Sequence, residues 1–162
     1  MSGRTKPRRR RQGLNAVNPL AHLFTHASKL RPHEIQGLMT PKRAALQAAR
    51  TAALTESGYN DLCTALNIGE AIQSLGVVRV DPAHLAKARD VLEQMGDRMD
   101  TPSGWRPHAL RWDELEALDV LLTIHQVQLQ ELQYNEYQAA CRLAESRVAS
   151  SGGIVIRSQE AT

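Results

Sequence analysis

The chain has 162 residues and a net charge of +3, and 42% of its residues are hydrophobic but only 4% are aromatic. This length predicts one domain with short tails, because compact domains cluster at about 100–150 residues. With so few aromatic residues, the core is expected to consist of Leu, Ala, Val and Ile on closely packed helices. The composition therefore argues against a second domain and favours an all-α fold.

Positive charge is concentrated at the N-terminus. Residues 1–11 hold six basic residues and no acidic one, so they carry +6 and the other 151 residues carry −3. Any attraction to phosphate is expected to reside in this arm, and a globally basic DNA-coating protein is disfavoured. The predicted nucleic-acid-binding residues are Arg4, Lys6, Arg8, Arg9, Arg10 and Arg11. The alternative is an arm that serves only solubility or localisation.

Three segments are predicted along the chain. Residues 1–16 offer almost nothing to bury, so they are expected to form a disordered basic arm. Residues 17–150 are predicted to form a single helical domain, and residues 151–162 a flexible tail.

Proline after a capping residue marks three predicted helix starts. Asn18-Pro19 opens a short helix that Arg31-Pro32 ends, and Thr40-Pro41 opens an Ala-rich helix over residues 42–55. Another helix, without a proline at its start, is predicted to follow and to end at Gly76, because glycine favours a left-handed cap. Inside it, Gly69 predicts a close approach of a neighbouring helix.

After an extended link over residues 77–80, Asp81-Pro82 opens the fourth predicted helix. Its apolar residues alternate spacings of three and four, which predicts a buried seam. Gly96 and the segment 100–107 are together expected to end this helix. The seam consists of Leu85, Ala88, Leu92, Met95 and Met99.

The last helix is predicted to run without interruption over residues 112–148, because no Pro or Gly occurs before Gly152. About 36 residues would reach about 54 Å, against a body about 35 Å across, so this helix must project, bend or pair with another chain. Beyond Tyr134 its apolar stripe is displaced around the helix, which argues against one coiled-coil seam. The predicted fold is all-α: a small bundle of about five helices with a long C-terminal helix and a disordered basic arm.

A partner interface is predicted on and beside this helix. Two tryptophans near its entrance can form a hot spot for a partner, and the alternative is a staple that fixes the entry angle of the chain. The predicted interface residues are Trp105, Trp112, Leu122, His125, Leu129, Tyr134 and Tyr137. Gln126, Gln128, Gln130, Gln133 and Gln138 add an uncharged polar face suited to water or to a hydrogen-bonding interface.

Other motifs favour structural explanations. A helix-turn-helix around Gly58 is disfavoured because residues 51–78 contain no Lys or Arg. Lys42, Arg43 and Arg50 can extend a basic surface. The alternative is a solvated helix face, or pairing with the acidic C-terminal helix. The acidic residues Asp113, Glu114, Glu116 and Asp119 suit the dipole of a helix N-terminus. His22 and His26 lack the adjacent Glu of a metalloprotease helix. No catalytic residue, cofactor or metal is predicted.

The two cysteines, Cys63 and Cys141, are far apart in sequence and indicate a reducing interior. No apolar run approaches the 18 or so residues that cross a bilayer, so a cytoplasmic protein without a membrane role is expected. The Arg-rich, acid-free start leaves a mitochondrial presequence as the alternative.

Gly104-Trp105-Arg106-Pro107, with Leu110, Glu114-Leu115, His125, Leu129, Tyr137 and Arg147 to Gly152-Gly153, carries a resemblance. This segment, about a third of the chain, resembles small helical proteins of proteobacterial prophages and other mobile elements. The resemblance implies a bacterial cytoplasm and carries over no activity.

The leading functional hypothesis is a non-enzymatic accessory or regulatory protein. It would self-associate through its C-terminal helix, or bind a helical partner, and contact nucleic acid or an acidic protein through the arm. The alternative is a protein-interaction module, such as an inhibitor or assembly factor, with no nucleic-acid role. An enzyme without familiar motifs is the third class.

Overall fold

Five helices account for most of the computed structural model, which describes residues 27–150. They are α1 (Pro32–Arg50), α2 (Glu56–Leu75), α3 (Pro82–Met99), α4 (Trp112–Glu131) and α5 (Tyr134–Ala149). A two-stranded antiparallel hairpin, β1 (Asp100–Thr101) and β2 (Gly104–Trp105), joins α3 to α4. The predicted all-α bundle is confirmed. The arm 1–16, the predicted helix starting at Asn18 and the tail 151–162 fall largely or wholly outside the described residues.

Two helices form the centre of the bundle. The helices α2 and α4 contact each other, and each also contacts α1 and α3, while α5 packs chiefly on α2. Apolar side chains of the first four helices form the main core. A smaller cluster lies between α2 and α5 around Ile68, Ile72, Leu132 and Ala144. The helix α5 is therefore an addition to one side of a four-helix body.

The helix α1 begins where the sequence predicts a stop. Pro32 occupies its first turn, and the backbone N–H of Arg31 donates to Glu34 Oε2 at 2.7 Å. Pro41, predicted to open a helix, lies inside α1. A proline there removes the backbone hydrogen bond to Gly37 O, and the neighbouring Thr40 hydroxyl donates to the Gln36 carbonyl at 2.8 Å. The predicted start at Thr40-Pro41 is wrong because residues 32–50 form one helix, whereas the helix predicted to end at Arg31-Pro32 lies largely outside the described residues.

Other predicted boundaries are closer to the structure. The Thr55 side chain caps α2, which ends at Gly76 in the left-handed region with φ 72°. The Asp81 carboxylate caps α3, whose predicted seam is buried throughout. The segment that starts at residue 100 ends α3 as predicted, and the helix runs through Gly96 to Met99. A β-carbon at Gly96 would lie 2.6 Å from Tyr59 Oη, so this glycine makes room for a tyrosine.

The predicted uninterrupted helix over 112–148 is two helices. Leu132 and Gln133 have extended backbone, and they pair with the segment before α1. Leu30 N donates to Leu132 O at 3.3 Å, and Tyr134 N donates to Ser28 O at 2.9 Å. With about 30 Å for α4 and about 24 Å for α5, neither of these two helices exceeds the body, so their length does not require a partner chain. The displaced apolar stripe on α5 coincides with this break.

Candidate functional site

The predicted nucleic-acid-binding residues, Arg4 to Arg11, lie outside the described part of the chain, as do His22 and His26. The structure therefore describes the basic side chains of the body but not those of the arm. Several basic side chains of the body form ion pairs with acidic side chains of the same chain. Ion pairs join Lys29 to Glu131 (3.0 Å), Arg50 to Asp119 (3.4 Å) and Arg98 to Glu114 (2.8 Å). Arg89 pairs with Glu70 on α2, and Arg111 pairs with Asp113 at 3.4 Å.

The predicted partner interface is divided between surface and interior. Trp112 is 81% exposed at the start of α4. Trp105 is half-buried: its Nε1 donates to Leu54 O at 2.7 Å, and its ring centroid lies 5.1 Å from that of Tyr59. The structure thus favours the staple for Trp105 and leaves Trp112 available to a partner.

The other predicted interface residues face their own chain. Leu122, His125 and Leu129 are buried in the bundle, where α1 and α2 cover that side of α4. They offer no surface to a partner in this structure. Tyr134 and Tyr137 are partly buried against the core. The helical spacing correctly predicted an apolar stripe, but its partner is the rest of the same chain.

A polar cluster surrounds Lys42, which was predicted to lie on a solvated or basic surface. Its side chain is buried, and its Nζ donates to Leu38 O at 2.9 Å. Burial lowers the pKa of Lys42, and this is opposed by the charge of Asp61 and by the nearby Cys141. His125 is 1% exposed, its Nδ1 has no hydrogen-bond partner, and burial together with the charge of Lys42 lowers its pKa to about 3.

The Cys141 and Tyr137 side chains form a hydrogen bond beside this cluster, and burial raises the pKa of both groups. A protonated thiol and a protonated phenol are poor nucleophiles at neutral pH. The cluster therefore supports a structural role in joining α1, α4 and α5.

The acidic residues at the start of α4 do not converge. Glu114 is buried between Arg98 and the helix start, and its Oε2 accepts from Arg111 N at 2.8 Å. Asp119 pairs with Arg50 on α1. Among the described residues, no three His, Cys, Asp or Glu side chains come together as a metal site.

The boundary between α1 and α4 is a shallow polar groove. Arg43 lies at its middle and contacts the Gln126 side chain. The two sections of the groove that meet at Arg43 have volumes of about 440 and 210 Å³. Of the predicted glutamine face, Gln126 and Gln130 line this groove. Gln128 is instead buried, and its Nε2 donates to Gly69 O at 3.2 Å. The predicted close approach at Gly69 is confirmed, and its neighbour is Gln128.

A second groove, between α2 and α5, is almost entirely apolar. Its volume is about 360 Å³, and its α5 wall includes Cys141, Ala144, Val148 and Ala149. Its α2 wall is Thr64, Asn67 and Ile68, and Glu145 lies at the groove as its charged residue. We call these eight residues the α2/α5 groove. Sequence reasoning identified the stripe on α5, but the groove exists only because α2 lies beside it.

Apolar side chains are also exposed at the end of α2, beside α5. Leu75 and Val77 are 43% and 40% exposed at the end of α2. Half-buried Val78 and Leu143 pack on the small cluster nearby, and Arg147 donates to Ser74 Oγ at 2.8 Å, which places α5 beside this turn. We call Leu75, Val77, Val78 and Leu143 the α2-end patch.

None of the helices within residues 27–150 has the combination of length and apolar character needed to cross a membrane. The chain matches no protein-family model, and comparisons with curated proteins and with solved structures find no similar protein.

Proposed function

We propose that the protein is a non-enzymatic accessory or regulatory protein that contacts nucleic acid through its basic arm and self-associates through its helical body. The observation that carries the nucleic-acid part is the separation of charge. Residues 1–11 carry +6, while the remainder of the chain carries −3. The body also ties several of its arginines into ion pairs with its own acids. Phosphate is therefore attracted to the arm and weakly repelled by the body.

The experiment compares two variants with equal loss of charge. The arm variant replaces Arg8, Arg9, Arg10 and Arg11 by Gln. The control replaces Arg79, Lys87, Arg106 and Arg142 by Gln, four exposed basic residues on the body. Binding to a duplex and to a single strand is measured at several salt concentrations.

We expect the arm variant to lose most of its affinity and to reduce the dependence of log K on log salt by about 3–4, since each phosphate contact contributes about 0.7–0.9 to that slope. The control should stay within about twofold of the wild type at matched salt. Equal losses in the two variants would refute the assignment to the arm.

Self-association is supported by the α2-end patch, because Leu75 and Val77, two residues apart, both expose large apolar side chains, and exposed apolar surface is typical of protein interfaces. The chain joins α5 to one side of the bundle and leaves this patch uncovered by the described residues. The occupant we propose is a second copy of the chain. An isologous interface uses the same patch on both subunits, so one exposed apolar surface suffices for a dimer.

The alternative function is a protein-interaction module with no nucleic-acid role. The exposed Trp112 favours it, since tryptophan is enriched at the centres of interfaces. The absence of binding to any nucleic acid at low salt would select this alternative.

A cytoplasmic location and an origin in a bacterial mobile element remain part of the proposal. The free thiols of Cys63 and Cys141 support the reducing interior.

A further inference from the structure

The α2/α5 groove reaches the last turn of α5. Val148 and Ala149 line it, and the described chain stops one residue later, at Ser150. From Ala149 back to Cys141 the groove follows α5 for about 12 Å, because a helix rises 1.5 Å per residue. The next residues of the chain therefore start beside one end of an apolar groove.

The sequence that follows suits this groove. Ser151, Gly152 and Gly153 can span about 10 Å, and glycine allows the chain to reverse direction. Ile154, Val155 and Ile156 come next and are the large apolar residues of segment 151–162. Three such residues occupy about the same 10 Å when extended. The three residues are thus apolar like the groove and similar to it in length, and the linker before them is long enough to bring them to it.

Charge agrees as well. Arg157, the basic residue of segment 151–162, directly follows the apolar residues, and Glu145 lies at the groove. We propose that Ile154, Val155 and Ile156 occupy the α2/α5 groove of their own chain, with Arg157 beside Glu145. This inference goes beyond the proposed function, because it concerns neither the arm nor the α2-end patch.

A covalent tether favours the chain's own segment over that of a second copy. A short linker holds its end at an effective concentration of about 1 mM or more, which exceeds the protein concentration in dilute solution. The segment would act as a built-in competitor: an apolar partner can enter the groove only by displacing it.

The thiol of Cys141 reports on the groove, because it lines the α5 wall and is half-buried. The other thiol is an internal control. Cys63 is fully buried, and burial raises its pKa to about 12, so it should react only when the protein unfolds. The test measures the rate at which Ellman's reagent labels Cys141 at pH 8, with the labelled peptide identified by mass.

The test variant is Ile154→Asn with Ile156→Asn, and the matched control is Ser158→Asn with Ala161→Asn. We expect the test variant to label Cys141 at least about fivefold faster than the wild type and the control to stay within about twofold, because access governs thiol reactivity. Deletion of residues 151–162 should match the test variant, and deletion of residues 157–162 should match the wild type or exceed it only slightly. If Cys63 reacts in the asparagine variant, the deletion pair decides.

Equal labelling rates in all variants would overturn the proposal. A wild-type rate that falls as protein concentration rises would also overturn it, because a second copy would then cover the groove. Neither result depends on nucleic acid, so the proposed function of the arm would stand or fall separately.

Discussion

The side chain of His125 lies almost wholly inside the bundle, with Nδ1 unpartnered and the buried amine of Lys42 close enough to influence its titration. Helical spacing predicted an apolar stripe through this position, and the structure confirms that stripe. The sequence could not predict which elements cover it. Lys42 was expected at a surface, because nothing in a single sequence shows that α1 turns this residue inward.

Acid should destabilise the protein through His125. Its pKa is about 3 when folded and 6.5 in the unfolded chain, so between these values the unfolded state binds more protons. Stability contributed by the neutral imidazole is complete above pH 6.5 and falls by about 1.4 kcal/mol per pH unit below it. Urea denaturation at pH 7 and pH 5 measures this loss as the change in the free energy of unfolding.

The variant His125→Leu should lose about 2 kcal/mol less than the wild type between pH 7 and pH 5. The control His84→Gln changes an exposed histidine and should retain the wild-type dependence on pH. Lys42→Met removes a buried positive charge beside His125. It should therefore raise the pKa of His125 and reduce the loss of stability between pH 7 and pH 5. A His125→Leu variant with unchanged pH dependence would contradict this explanation.

At the scale of helices and turns, a capping residue followed by proline predicted some helix boundaries correctly and others incorrectly. Asp81-Pro82 opens α3 as predicted, whereas Arg31-Pro32, predicted to end one helix, begins another. In α1, α4 and α5 a Glu three residues after the cap accepts the cap's backbone N–H, through Glu34, Glu114 and Glu136. The residues at those caps are Arg, Arg and Gln, which are not preferred there. The start of α5 consequently had no recognisable signal.

Two glycines inside helices should respond oppositely to alanine. Gly96→Ala places a β-carbon 2.6 Å from Tyr59 Oη, a side chain held by its bond to Leu92 O at 2.9 Å. We expect a loss of about 1–3 kcal/mol, typical of overpacking. Gly37→Ala meets nothing within 4 Å and should gain about 0.5–1 kcal/mol from helix propensity.

Thermal and urea unfolding of both variants, compared with the wild type, provide the measurement. A Gly96→Ala variant as stable as the wild type would show that Tyr59 can move away at little cost. In that case the close packing of α2 on α3 would not explain why glycine occurs in the last turn of α3.

For the whole molecule, composition correctly favoured an all-α bundle, because few aromatics and many Leu and Ala residues suit closely packed helices. The number of helices was predicted from the proline and glycine signals along the chain. The α2/α5 groove and the α2-end patch were beyond such reasoning. Both depend on which helices lie side by side. Thr64 and Ala144 line the same groove although they are 80 residues apart, and such proximity has no local signature in one sequence.

Self-association should depend on the α2-end patch. Leu75→Asp places a charge in the proposed interface, and we expect it to weaken association by about tenfold or more, because like charges meet across a two-fold axis. The control Val127→Asp changes a residue of similar exposure, 47% against 43%, on α4. Sedimentation equilibrium over a range of concentrations measures both. A strictly monomeric wild type, or equal effects of the two substitutions, would refute the proposed dimer.

The pairing of residues 28–30 with residues 132–134 has a mechanical consequence. Within the described residues, the segment before α1 is attached here, through the backbone of Ser28 and Leu30, the buried side chain of Leu30 and the ion pair of Lys29 with Glu131. Tension carried along this segment would load the joint between α4 and α5. It would therefore reach α5, the helix that forms one wall of the apolar groove.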